Sequence, residues 1–285
     1  MGVSSSPAES VLSDHLFYRL HGESERARWR VSDIPFDRID RASVSPAMIA
    51  LVRRVAESEL TTFSATRFFL QTFADDTDFT QWMAVWFYEE TKHPEVLMRW
   101  LSELGERFDA GFLRRGRATA AFMKSRFGTL VANVISEVVA SHNYLAIHEN
   151  AGEPVLSAIG KHLAADEARH ARTFLAYARR YLERSGDPER DRADALKVLH
   201  LWFQQGGGIE HPVNEFAART GDDGALGGAM LLGLQGAAER ASGHACRMIG
   251  SLLDLPLEAP GDALPALTAL RRETEKNQGD EHGQT

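Results

Sequence analysis

The chain has 285 residues, long enough to bury a large core without staples. Its 32 basic and 40 acidic side chains leave a formal net charge of −8, which argues against general nucleic-acid binding. The single cysteine, Cys246, excludes an internal disulfide and thiolate-held clusters, so any metal must be held by histidine and carboxylate.

Residues 1–10 and 259–285 are rich in Ser, Pro, Gly and charge, and are expected to be disordered tails around one domain at 11–258. From Ser45-Pro46 onward apolar residues recur at spacings of three and four, so nearly all of it is expected to be helix, an all-α fold. Ser45-Pro46 opens a first long helix over 46–73, and Ala74-Asp75-Asp76-Thr77-Asp78 turns the chain into a second over 79–104. A glycine-punctuated crossover leads to a third helix over 119–149. After Asn150-Ala151-Gly152-Glu153-Pro154 a fourth runs over 154–184, so the core bundle covers about 46–184. Further helices are expected near 189–205, 210–219 and 223–253. No apolar run reaches the roughly 18–20 residues of a membrane span, Glu137 interrupting the longest, and the N-terminus lacks the pattern of a secretory leader. A cytoplasmic protein is the expectation.

Two segments share one pattern, Glu89-Glu90-Thr91-Lys92-His93 and Asp166-Glu167-Ala168-Arg169-His170. In each, a Glu-x-x-His pair sits about one helical turn apart on one face, so both side chains can hold one ion. Chance alone yields roughly one such pair in a chain of this composition, so the partners decide the matter. If the first two helices fold back about Asp75, Glu57 and Glu90 lie roughly 27 Å and 22 Å up the pair, about one turn apart. Glu59 lies within a turn of the same level; Glu57 is preferred. About Gly152, Glu137 and Glu167 are equally distant. One glutamate from each of two helices, with Glu-x-x-His from the other two and a long crossover, is the ferritin-like arrangement for a dinuclear metal site. Glu57, Glu90, His93, Glu137, Glu167 and His170 are therefore the expected ligands.

Four buried glutamates are unfavourable by several kcal/mol each unless protonated or paired, and two divalent ions cancel their charge. Two Fe(II) ions suit this donor set, with Mn(II) as the alternative. Asp166 is expected to accept from a ligand imidazole across the bundle, whereas Glu89, about 100° around the helix from Glu90, is expected in an exposed ion pair. Tyr144, seven residues beyond Glu137, falls on the ligand face. Trp82 and Trp86 are expected in the core, Trp86 doubling as a candidate neighbour of the metals.

At these residues the sequence resembles the soluble di-iron acyl-carrier-protein desaturases. Trp82-x-x-x-Trp86-x-x-Glu89-Glu90-x-x-His93 is similar to their second ligand helix, Ala164-Ala165-Asp166-Glu167-x-Arg169-His170 to their fourth, and Glu57-x-x-Leu60 to their first. The resemblance implies a di-iron oxidase fold and an acyl substrate, with acyl carrier protein as partner. In that family a hydroxyl residue follows the third-helix glutamate by three positions; here Ala140 stands there, with Ser141 one further along. Carrier docking would fall to Arg114, Arg115, Arg117, Lys124 and Arg126. The related arylamine N-oxygenases carry an extra histidine where this chain has Leu163, next to His162.

The site implies a dioxygen-dependent di-iron oxidoreductase, a desaturase or hydroxylase, acting on an apolar substrate, and the resemblance implies that this substrate is a carrier-bound acyl group. Phe63, Phe68, Phe69 and Phe87 are candidate walls for it. With no nucleotide-binding loop and no cluster cysteines, the two electrons per turnover imply an external ferredoxin or reductase. A homodimer is the expected assembly. The alternatives are oxidation at nitrogen and a ferritin-like metal-handling or peroxide-reducing protein. His200, His211 and His244 have no partners at ligand spacing and read as structural or exposed.

Overall fold

The computed structural model describes residues 15–117, 125–204, 209, 211 and 233–282. Among them there is no strand, and ten α-helices follow one another: α1 (Leu16–Ala27), α2 (Pro46–Glu59), α3 (Thr62–Thr72), α4 (Thr77–Glu103), α5 (Ala110–Gly116), α6 (Arg126–Asn150), α7 (Pro154–Glu183), α8 (Pro188–Phe203), α9 (Leu234–Leu253) and α10 (Ala263–His282). The four-helix core is α2/α3, α4, α6 and α7.

Most predicted helix ends hold because the caps are in place; residues 119–124 of the third predicted helix lie outside the described residues, and α6 is described from Arg126. Ser45, Asp76, Ser125 and Asp187 each accept from a backbone N–H in the first turn of α2, α4, α6 and α8. Glu153 caps α7 through the Val155 and Leu156 amides while also accepting from the Trp100 indole at 2.8 Å. That buried carboxylate ties the α6–α7 turn to the far end of α4.

Cross-helix contacts fix the directions. Ser141 reaches Ala164 and His148 reaches Ser157, so α6 and α7 are antiparallel. Glu59 faces His93 and Thr62 faces Glu90, so α2/α3 runs antiparallel to α4. The crossover descends through α5 and returns into α6. By length and composition α6 could cross a membrane, but its apolar stretch lies mostly inside the bundle, as expected of a core helix.

The apolar core divides in two. One part gathers Phe69, Phe79, Trp82, Phe174 and Tyr177 with the inner faces of α6, α8 and α9. The other gathers Trp29, Leu97, Trp100, Phe112, Leu156 and Ile159. Trp86 belongs to the first and Tyr144 to the second, and between them lies a polar belt that holds all the predicted metal ligands but Glu57.

Two expectations are corrected. The helix expected over 46–73 is broken at Leu60 and Thr61, where the bonds Leu60 N→Glu57 O, Thr61 N→Ser58 O and Ser64 N→Thr61 O tighten the chain to three residues per turn. Two adjacent β-branched threonines disfavour continuing the helix, and the Thr62 hydroxyl is drawn off to donate to Glu90 at 3.2 Å. The tail expected to be disordered over 259–285 contains α10 instead. Ala263, Leu267 and Leu270 form a stripe that packs onto the core beside α8, a period hidden in the sequence by surrounding charge. Before the core stands α1, capped by Asp78, which accepts from the Leu16 and Phe17 amides at 2.8 Å each. The predicted tail over 1–10, the helix over 210–219 and the start of the helix over 223–253 lie outside the described residues.

Candidate metal centre

Midway along the bundle, six ionisable side chains from four helical segments converge in two overlapping sets. Glu59, Glu90, His93 and Glu167 form one; Glu90, Glu137, Glu167 and His170 form the other, and in each the candidate donor atoms lie within 4.8 Å of one another. Glu90 and Glu167 belong to both sets. His93 Nδ1 stands 3.2 Å from Glu167 and 3.6 Å from both Glu59 and Glu90. His170 Nδ1 stands 2.9 Å from Glu90, 3.2 Å from Glu167 and 3.9 Å from Glu137.

Five of the six expected ligands, Glu90, His93, Glu137, Glu167 and His170, are thus brought together. Glu57 is not: its carboxylate accepts from Arg115 Nε at 2.8 Å on the outer side of α2. Glu59 takes its place, and Tyr144 donates to it. Height left both glutamates within a turn of Glu90; the phase of α2 turns Glu59 inward and Glu57 outward, and the helix is broken just after them, at Leu60 and Thr61.

The outer nitrogens of the two imidazoles are held crosswise. His93 on α4 presents Nε2 to Asp166 on α7, 3.4 Å away, and His170 on α7 presents Nε2 to Glu89 on α4, 2.8 Å away. Asp166 also accepts from Trp29 Nε1 at 2.8 Å and from Arg169 Nη2 at 2.7 Å, while Lys92 lies 3.5 Å away. Arg169 reaches Glu89 as well, at 3.0 Å. The expected exposed ion pair at Glu89 is therefore wrong, since this residue is only 1% exposed and anchors a histidine. The sequence did carry a signal: Glu89 and Asp166 occupy the same place in the two matching segments.

Trp86 donates to Glu137 at 3.2 Å, as a neighbour of the metal cluster should. Ser141 does not approach the cluster; its hydroxyl donates to the Ala164 carbonyl at 2.9 Å and locks α6 to α7.

Electrostatics divide the carboxylates. Burial and the charge of Glu167 hold Glu90 up at about 7, and burial with the charges of Glu167 and Glu90 pushes Glu137 well above the usual carboxylate range. Burial works against Glu167 too, but the charge of His93 and hydrogen bonds from both histidines hold it far below. Both imidazoles are raised well above their ordinary value: burial opposes this, and the surrounding carboxylates outweigh it. Asp166 and Glu89 are lowered despite burial, through hydrogen bonds and charge from His93 and His170 respectively.

This donor set fits a pair of divalent ions. The inner carboxylates gather more negative charge than two imidazoles offset, and the Nδ1 atom of His93 is buried among three carboxylates without a well-aligned hydrogen bond. With Nε2 tied to an outer carboxylate, each imidazole keeps its inner lone pair for a metal.

A cavity of about 180 Å³ opens directly off the cluster, with Glu59, Glu90, Glu137 and Glu167 in its wall. Phe63, Phe68, Phe69 and Phe87 do not line it. Phe69 is locked among Phe73, Phe79, Trp86 and Phe174, and Phe63 packs edge-on against Phe87. The walls come instead from Val55 on α2, Val139, Ala140 and Ile147 on α6, and Trp202, His211 and Leu234 beyond the core. Of the basic crossover, Arg115 is spent on Glu57, Arg117 lies over the Phe63 ring and Arg126 grips Asp75. Lys124 lies outside the described residues. Leu163, at the N-oxygenase histidine position, is buried in apolar core, and His162 stacks on Trp29.

Together the bundle and the cluster define a ferritin-like helical protein whose carboxylates and histidines can hold two metal ions. Solved structures agree on the fold. Two variants of an R2-like ligand-binding oxidase with aerobically reconstituted Mn/Fe cofactor each superpose with a TM-score of 0.55, at 16% and 17% identity, covering 89% and 85% of this chain and 98% and 94% of theirs. An anaerobically reconstituted variant gives a TM-score of 0.52 at 15% identity, covering 95% of this chain and 98% of the other. No curated protein sequence matches. The family model described as "Fatty acid desaturase" matches residues 38–200, more than half of the length, and the chain belongs to that family.

Proposed function

We propose that this protein is a dioxygen-dependent oxidoreductase with a dinuclear centre of Fe, or of Mn and Fe, that oxidises an organic substrate in the adjoining cavity. The single observation that carries the reading is the convergence of four glutamates and two histidines in two overlapping sets, with a cavity that opens onto the carboxylates. Glu59, Glu90, His93, Glu137, Glu167 and His170 would hold the ions, Glu90 and Glu167 belonging to both donor sets. When bound, such a pair supplies redox chemistry with dioxygen that no side chain performs. Family membership favours desaturation or hydroxylation of an acyl substrate, with acyl carrier protein and an external ferredoxin or reductase as partners.

The chain's own residues position and protect. Asp166 and Glu89 fix the two ring orientations; Thr62, Trp86 and Tyr144 donate to Glu90, Glu137 and Glu59 and hold each carboxylate in one pose. The apolar clusters on either side exclude water and raise the effect of every charge between them.

The test is anaerobic loading with Fe(II), or with Mn(II) and Fe(II), followed by metal counting, exposure to oxygen with candidate substrates, and mass analysis of the products. Two ions per chain and oxygen consumption coupled to product are expected. A protein that binds fewer than one ion per chain, or many more than two in a cage, would overturn the reading.

A further inference from the structure

His244, which has no partner at ligand spacing in the sequence, finds one at the surface of the folded chain. It lies on α9 and meets His142 on α6, 102 residues away, with His142 Nε2 and His244 Nδ1 3.1 Å apart. The ring planes cross at 86° with centroids 5.4 Å apart. An ion at roughly 2.0–2.1 Å from each nitrogen would see them about 98° apart, between the ideal tetragonal and tetrahedral angles. His142 follows Glu137 by five residues, about 140° around the helix, so the pair looks away from the dinuclear cluster.

The frame around the two rings is fixed. α9 packs along α6, and Ala241 and Ala245, on either side of His244, are fully buried. The nitrogens therefore meet an ion with little rearrangement of backbone. Burial, and then the charges of His244, Arg240 and Arg247, hold His142 below its ordinary value; burial and then Arg247 do the same for His244. Both rings are neutral at pH 7, the form a metal ligand requires. The arginines oppose any cation, but each has an acid at hand. Arg240 lies 3.9 Å from Glu149 and Arg247 lies 3.6 Å from Glu258, in exposed pairs that solvent screens. One neutral ring can donate to the other at this distance, yet that bond is exposed and water replaces it readily.

We propose that His142 and His244 form a separate mononuclear site for a borderline transition ion, Cu(II), Ni(II) or Zn(II), that clips α9 to the core helix carrying Glu137. Imidazole donors without a carboxylate suit these ions, with Cu(II) held most tightly, in contrast to the carboxylate-rich centre inside the bundle. Two protein ligands leave the other positions to water, so the ion exchanges with solvent. The proposal shares no residue with the inner cluster and stands apart from the oxidase reading.

The test loads the inner centre with iron, oxidises it in air, and titrates the protein with Cu(II), followed by calorimetry and electron paramagnetic resonance. One Cu(II) per chain beyond the iron is expected, with a spectrum showing two nitrogen ligands. His142→Gln and His244→Gln, both away from the core, should each weaken that ion by about tenfold or more and leave the iron content unchanged. Zn(II) should slow hydrogen exchange of the α9 amides in the unaltered chain and not in either variant. Cu(II) that binds both variants as tightly as the unaltered chain, Cu(II) without nitrogen ligands, or no Cu(II) beyond the iron overturns the site. Failure of the inner centre to hold iron would remove the oxidase reading alone; Cu(II) lost in either histidine variant would still uphold this site.

Discussion

The two halves of the bundle offer the same kinds of ligand on helices built in different ways. In the second half, α6 and α7 are uninterrupted over 25 and 30 residues and approach at backbone distance: a Cβ on Gly160 would lie 2.9 Å from both the His148 nitrogen and the Tyr144 carbonyl. Their relative height is fixed by this contact and by the Ser141 hydroxyl, and counting residues from the turn locates Glu137 and Glu167 correctly. In the first half, α2 stops at Glu59 and a tight turn intervenes before α3. The same counting there puts both Glu57 and Glu59 within a turn of Glu90 and does not separate them. Height alone sets the level; helix phase decides which of two neighbouring residues faces inward.

Removing a residue shared by both ligand sets should have the largest effect. Glu90→Ala or Glu167→Ala is expected to drop metal content from two ions per chain to less than one and to abolish oxidation, with helicity by circular dichroism retained. The comparison of halves is sharpened by the pair Glu59→Ala and Glu57→Ala. The first should lose metal mainly from the His93 side; the second, which removes only a link to the exposed Arg115, should keep both ions and shift stability by no more than about 0.5 kcal/mol. If metal content followed Glu57 instead, the assigned phase of α2 would fail.

Protons stand in for metal in the metal-free protein. Glu90 at about 7, with Glu137, His93 and His170 also raised, means that the folded chain binds more protons than the unfolded chain from about pH 5 upward. The sign is therefore negative: stability falls as pH rises through this window, by on the order of 3 kcal/mol from Glu90 alone. Glu167 and Asp166, held low, act oppositely and only in acid, where their stabilisation is lost as pH falls. Melting temperatures of metal-free protein should decline as pH rises from about 5 through about 7, and bound metal should flatten the decline. A rising profile would contradict the electrostatics described.

Smaller effects probe the rigid half. Gly160→Ala should cost about 1–3 kcal/mol by forcing α6 and α7 apart, measured by denaturant unfolding. Ser141→Ala should cost about 1 kcal/mol, the loss of one interhelical hydrogen bond, with no change in metal content.

The helical class, the crossover, most helix ends and five of the six clustered ligand candidates were legible in the sequence, because caps, apolar period and Glu-x-x-His spacing are local properties of a helix. Glu59 and the role of Glu89 were not, since each depends on rotation about a helix axis. The first is settled by the phase of α2; the second is read only when its neighbour's histidine is in place. The α10 stripe was hidden by charge around it. His211 and Trp202 show the same limit more sharply. No spacing links them to the metal cluster, and only the tertiary structure brings Trp202, near the end of α8, and His211 to the cavity wall. Sequence determined which side chains each helix carries; tertiary structure decided which of them face one another, because that choice follows from helix phase and interhelical packing across residues far apart in the chain.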